Sequence, residues 1–231
     1  METDRSESNG SLRIGVFGGT FNPIHYGHLR AAEEVKETLG LDKVLLVPSG
    51  NPPLKTGDLA DAPKRYEMVK LATAGNRAFD VLDIESVKPA KSYTVETLEV
   101  LLNRYSDSEL YFMLGMDAFL DIPNWWKPEK FVSMVNFAVI SRPGRKFEDL
   151  LSSPYLDVGR DDLKALDDSG GEFKIIRLKS LKEAALVRIT ALDISSSDIR
   201  RRVREGQSIK YLLPENVESF IISHKLYSPV T

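Results

Sequence analysis

Cysteine is absent from the 231 residues, which excludes disulfides and thiolate metal sites. Neither sign of charge dominates: 31 Lys and Arg against 34 Asp and Glu leave a net charge of −3, and such a balance offers nothing for nonspecific binding to DNA or to an anionic membrane. Long apolar runs are missing too, none approaching the ~18–20 residues that span a bilayer. The opening METDRSESNGS is polar and lacks the basic-then-apolar order of a signal peptide. These absences predict a cytoplasmic protein with a flexible leader over residues 1–11 and a single domain over 12–231. The apolar fraction of 42% is ample for its core. Tryptophan is scarce as well, and the two in the chain, Trp125 and Trp126, are neighbours in a proline-flanked segment.

What is present is densest between Leu12 and Leu29, LRIGVFGGTFNPIHYGHL. Leu12, Ile14, Val16 and Phe17 have the character of a strand buried on both faces. Gly18 and Gly19 stop it and let a ligand approach the backbone. From Tyr26 the spacing of Leu29, Ala32, Val35 and Leu39 predicts a helix that Gly40 ends. A strand, a glycine turn and a helix start form a cradle for phosphate, because opening N–H groups point outward and the helix dipole favours an anion. His25 and His28 project into that cradle, just after Thr20.

Further strands are predicted at 43–47, 79–84, 110–114 and 136–141, with late ones at 173–178 and 185–189, the last two being alternatively one strand and a connector. Helices are predicted over 64–76 and after Thr94, with Thr94 or Ser92 as the N-cap. The segment 48–63 is rich in proline, glycine and polar residues and reads as a long loop. Gly115 and Asp117 follow a strand where parallel sheets bind ligands, and Asp117 suits either a ribose or adenine edge or a helix cap. Adjacent loop tryptophans diverge, leaving one exposed enough to stack on a flat ring. Near the end, ISSSDIR places Ser195 and Asp198 at capping-box spacing, and this helix mouth, with three serine hydroxyls and Arg200, suits either a second anion site or an ordinary capped helix. Arg201, Arg202 and Arg204 read as a charged helix face. Residues 145–172 carry no recognisable chemistry and read as a peripheral helix and loop. The end is a proline-started helix in which His224 reads as structural.

GGTFNPIHYGH resembles the (H/T)xGH signature of the nucleotidyltransferase superfamily, and more narrowly that of bacterial nicotinate-mononucleotide adenylyltransferases. The resemblance runs over 12–228 and includes SYTVETL at 92–98, the Trp-Trp pair, and ISSSDIR, which is similar to ISSTxIR. It implies an α/β fold with a Rossmann-like, mostly parallel sheet, helices on both faces and a small C-terminal helical extension. It implies that Gly18, Gly19, Thr20, Phe21, Gly115, Asp117, Ser196 and Ser197 bind ATP. His25, His28 and Arg200 are the catalytic group, with His28 on the α-phosphate and His25, Ser197 and Arg200 on the β- and γ-phosphates. Lys55 corresponds to the lysine of a PPHK motif whose histidine is here Leu54, and is expected to contact phosphate. Thr94 lies near the nicotinate carboxylate, Trp125 stacks on the pyridine, and Trp126 stands where a backbone N–H meets the carboxylate.

The reaction so implied joins ATP to nicotinate mononucleotide, giving deamido-NAD and pyrophosphate. The nucleophile, a 5′-phosphate oxygen, is already an anion at pH 7, so no general base is needed. Mg²⁺ is expected on ATP phosphates rather than in a protein cage, the more so because Asn22 stands where many relatives carry aspartate. No nucleic acid or membrane partner is expected. The alternatives are nicotinamide mononucleotide or phosphopantetheine as acceptor, an RNA-binding module or synthetase fragment, and a nucleotide-binding protein without turnover. The sequence leaves monomer and homo-oligomer equally open.

Overall fold

The computed structural model describes residues 11–51, 58–88 and 91–228. Most of the expected leader, residues 1–10, therefore lies outside the described residues, as does Lys55. The chain alternates strand and helix: β1 (Leu12–Gly19), α1 (Tyr26–Leu39), β2 (Lys43–Pro48), α2 (Ala62–Thr73), β3 (Phe79–Val81), α3 (Thr94–Arg104), β4 (Ser108–Gly115), α4 (Met116–Leu120), α5 (Pro128–Met134) and β5 (Asn136–Ile140). It continues through α6 (Arg160–Ser169), the strands β6 (Phe173–Arg177) and β7 (Glu183–Val187), α7 (Ser196–Arg204) and α8 (Glu215–Ser223). The sheet order is β3-β2-β1-β4-β5-β7-β6. Every pairing is parallel except that of β6 with β7. This is the Rossmann-like α/β sheet that the resemblance implies.

β1 is central because both faces of it are apolar. Ile14 and Val16 join a core formed with α3, α5 and α6, while Phe17 faces a second core formed with α1, α2, α7 and α8. Strand order reverses between β1 and β4, so the carboxyl ends of these two strands open the crevice in which such folds bind ligands. The C-terminal helices close one flank: Tyr26 N–H donates to Leu212 O at 3.1 Å, and Asn216 Nδ2 to Leu71 O at 2.6 Å. No helix among the described residues is long and apolar enough to cross a membrane.

The structure departs from the sequence expectations at several boundaries. β3 stops at Val81 rather than Ile84. One more bond, Leu82 N–H to Leu46 O at 3.0 Å, keeps the chain at the sheet edge before it turns to bury Glu85. The N-cap of α3 is Tyr93, with neither Ser92 nor Thr94 in that place. Residues 145–172 hold a 3₁₀ turn (Phe147–Ser152) as well as α6, and they cover the first core with Phe147, Leu150, Leu163 and Leu166. β6 and β7 are both strands and form a hairpin.

Candidate active site

From β1 the chain passes Thr20 and Phe21, the latter buried at a left-handed φ of 45°, crosses a cis Asn22–Pro23 bond, and enters α1 with His25 as N-cap. His28 is the third helical residue, and its Nδ1 accepts the His25 backbone N–H at 3.3 Å. A neutral imidazole accepting at Nδ1 carries its proton at Nε2, so this helix cap makes His28 an Nε2–H donor. The two rings lie 3.7 Å apart at 32°, and Phe21 meets the His28 ring edge-on at 5.2 Å. His25 is buried, and desolvation lowers its pKa to about 4, which keeps it neutral at pH 7. Among the described residues its Nδ1 has no hydrogen-bond partner. At Gly27 a Cβ would stand 3.0 Å from that Nδ1 and 3.7 Å from Ile194 O. The glycine between the histidines thus allows the mouth of α1 to press against the approach to α7.

The mouth of α7 docks on the same segment. Ser195 caps it, accepting the Asp198 N–H at 3.2 Å. Ser196 Oγ donates to Pro23 O at 2.9 Å, and Arg200 Nη1 donates to Asn22 O at 2.9 Å. Arg200 Nε also donates to Asp58 Oδ2 at 3.0 Å, a carboxylate that Arg204 shares. Ser197 is exposed in the first turn. Arg201 and Arg202 pair with Asp198. Two helix N-termini and Arg200 therefore stand together, a combination of N–H donors and positive charge that suits a polyphosphate.

Asn22 is committed to the scaffold. Its Nδ2 donates to Asp58 O at 2.8 Å, and its Oδ1 accepts Ala60 N–H at 3.1 Å and the Tyr227 hydroxyl at 2.8 Å. Among the described residues no group of three or more His, Cys, Asp or Glu is placed to hold a metal ion. The donor set beside the histidines is cationic or neutral, and so fits phosphate better than a bare cation.

Next to the turn lies a cavity of about 750 Å³. Gly18, Gly19 and Thr20 form one wall, Gly115 the end of β4, and Thr94, Trp125 and Trp126 the far side. Trp125 is half-buried, stacked at 22° on Phe131, and its Nε1 donates to Asp121 Oδ2 at 3.2 Å. Trp126 is 40% exposed, lies 4.7 Å from the Tyr93 ring, and has Lys127 Nζ 4.1 Å from its own ring. The indoles do diverge. Asp117 stands apart from this lining: in the first turn of α4, its carboxylate pairs with Arg142 and, at 3.2 Å, with Arg145.

Two residues escaped the sequence reading. Arg65 is fully buried behind the turn that follows β1, and Glu85 is buried at the cavity edge, accepting Thr97 Oγ1 at 2.7 Å. Burial raises the Glu85 pKa. Arg65 shares a helix face with Met68 and Val69, three and four residues on, and that register was the one available signal.

A family model described as cytidylyltransferase-like matches residues 16–202. A probable nicotinate-nucleotide adenylyltransferase of Pelobacter propionicus is 40% identical, with 94% of this chain and 99% of that one covered. Another, from Desulfitobacterium hafniense, is 43% identical over 93% of this chain and 95% of its own. Among solved structures, the Plasmodium falciparum nicotinic acid mononucleotide adenylyltransferase complexed with NaAD superposes with a TM-score of 0.70 at 21% identity, covering 94% of this chain and 97% of that one. That likeness supports the fold.

Proposed function

The chain belongs to the cytidylyltransferase-like family and, at about 40% identity over nearly its whole length, to the nicotinate-nucleotide adenylyltransferases within it; from that premise we propose how its residues carry out adenylyl transfer from ATP to nicotinate mononucleotide. The observation that carries the reading is the meeting of the α1 and α7 mouths beside a cavity walled by two indoles.

The acceptor's 5′-phosphate oxygen attacks the α-phosphorus of ATP. A new P–O bond forms, the bond to the β-phosphate oxygen breaks, and pyrophosphate leaves with the electron pair. The attacking oxygen is already anionic, so no side chain need remove a proton. His28 donates Nε2–H to an α-phosphate oxygen as charge grows there. Neutral His25, Ser197 and Arg200 hold the β- and γ-phosphates, with Ser196 fixing the α7 mouth through Pro23. The turn Gly18 to Phe21 and Gly115 border the nucleotide. Thr94, at the opening of α3, faces the nicotinate carboxylate, and Trp125 and Trp126 hold the pyridine. In-line placement of this kind is worth roughly 7–11 kcal/mol of the barrier.

Mg²⁺, held on the ATP phosphates and not by the described residues, would supply the neutralisation of phosphate charge. Asn22 suits this, since a carboxamide already spent on three partners supplies no anionic ligand. The test is pyrophosphate release from Mg·ATP with nicotinate mononucleotide, nicotinamide mononucleotide or phosphopantetheine, each alone. Release with the nicotinate acceptor in clear excess is the expected result. Equal release with the carboxamide, or none with any acceptor, contradicts it.

A further inference from the structure

Arg65 is fully buried, yet among the described residues no carboxylate lies within ion-pair distance of it. A desolvated guanidinium is tolerated only when its donors are used. Here they go to backbone carbonyls from three segments. Nη1 donates to Thr20 O at 2.8 Å, Nη2 to Gly50 O at 2.6 Å, and Nε to Ala60 O at 2.8 Å. Thr20 belongs to the phosphate turn, and Gly50 follows Ser49 on the wall of the cavity. On its other side Gly50 is pressed against Glu85, where a Cβ would stand 2.1 Å from the Glu85 carbonyl oxygen. The Glu85 carboxyl in turn bonds to Thr97 in α3, the helix whose opening presents Thr94 to the cavity. A path of hydrogen bonds and one close backbone contact thus runs from Thr20 through Arg65, Gly50 and Glu85 to Thr97, from the nucleotide side of the crevice to the acceptor side.

We propose that Arg65 is a positioning residue for the transfer reaction: through the Thr20 and Gly50 carbonyls it fixes the phosphate turn and the wall of the acceptor cavity at one separation. It is fully buried and is not among the residues that line the cavity. Displacement of reacting groups by about 1 Å costs on the order of 10²-fold in rate, so a brace between the two half-sites bears directly on catalysis. The planar fork matters, because an ammonium cannot reach three carbonyls in these directions. The inference rests on the adenylyl-transfer reading.

The test compares Arg65→Lys and Arg65→Met with the wild-type protein in steady-state pyrophosphate release, varying Mg·ATP and nicotinate mononucleotide in turn, with thermal melting alongside. Arg65→Met strands three buried carbonyls and serves only if it folds; Arg65→Lys keeps the charge and decides. Expected for Arg65→Lys is a kcat at least about tenfold lower together with KM values for both substrates raised about threefold or more. Loss of folded protein alone lowers the apparent kcat and leaves both KM values where they were, and that outcome overturns the inference. So does a kcat within twofold of wild type. No release by the wild-type protein rejects the transfer reading and the inference with it, whereas release by the wild type with an undiminished Arg65→Lys rejects the inference alone.

Discussion

Arg200 donates to the backbone carbonyl of Asn22 at 2.9 Å, joining residues 178 positions apart. With Ser196 on Pro23, this bond sets the N-terminus of α7 against the segment that leads into α1. Two helix mouths therefore stand side by side. Their backbone N–H groups, the Arg200 guanidinium and the His28 ring are where the proposed reaction puts the triphosphate.

His28 has two separable duties. Its Nδ1 caps α1, and its Nε2–H is the proposed donor to the α-phosphate. His28→Ala is expected to lower kcat at least about tenfold with KM little changed, and to cost about 1 kcal/mol of stability through the lost cap. Steady-state kinetics and denaturant melts measure the two effects separately. A near-normal kcat removes His28 from the chemistry.

His25 makes stability depend on pH in a defined direction. Burial holds its pKa at about 4 in the folded chain, against 6.5 when unperturbed, so between those values the unfolded chain binds more protons. The stabilisation is complete above about pH 6.5 and is lost as pH falls toward 4, an effect of about 3 kcal/mol. His25→Gln, which does not titrate, should flatten this part of the stability-against-pH curve. An unchanged slope assigns it to other groups.

Asp58 occupies the guanidinium groups of Arg200 and Arg204 that a γ-phosphate would approach. Burial acts against its charged form, yet bonding to Arg204 and Arg200 outweighs that and holds its carboxyl below the usual range. Both partners are partly exposed, so the pair is worth no more than about 1 kcal/mol. Asp58→Asn should therefore lower the KM for Mg·ATP, by about two- to fivefold. A rise in that KM would mean that Asp58 helps to hold the nucleotide.

The indoles should respond differently to truncation. Trp126 is exposed on the cavity wall, so Trp126→Ala is expected to raise the KM for nicotinate mononucleotide about three- to tenfold with little change for Mg·ATP. Trp125 also stacks on Phe131 in the core cluster, so Trp125→Ala adds a stability loss of a few kcal/mol. Parallel titrations of both substrates with melting curves distinguish these effects. Equal KM changes for ATP would place the pyridine elsewhere.

The parts of this site that local chemistry dictates were legible in the sequence. The α1 boundaries, Tyr26 to Gly40, follow from apolar spacing and a C-terminal glycine, and Ser195 with Asp198 announces the α7 cap that the structure contains. Arg65 was not legible. An arginine in KRYEMVK reads as solvated unless the three carbonyls that receive it are known, and those come from residues 20, 50 and 60. The commitment of Asn22 was hidden for the same reason, because Tyr227 reaches it from the far end of the chain. Residues 145–172 looked peripheral because their polar majority masks core residues such as Phe147, Leu150, Tyr155, Leu156, Leu163 and Leu166.

The most direct test of the account is a crystal structure of this protein with a non-hydrolysable Mg·ATP analogue and nicotinate mononucleotide bound together. The predicted result is one triphosphate spanning both helix mouths, its α-phosphate within hydrogen-bond distance of His28 Nε2 and its γ-phosphate on Arg200, with the pyridine against the Trp125–Trp126 wall. A triphosphate seated away from α7, or a pyridine outside that cavity, would contradict it.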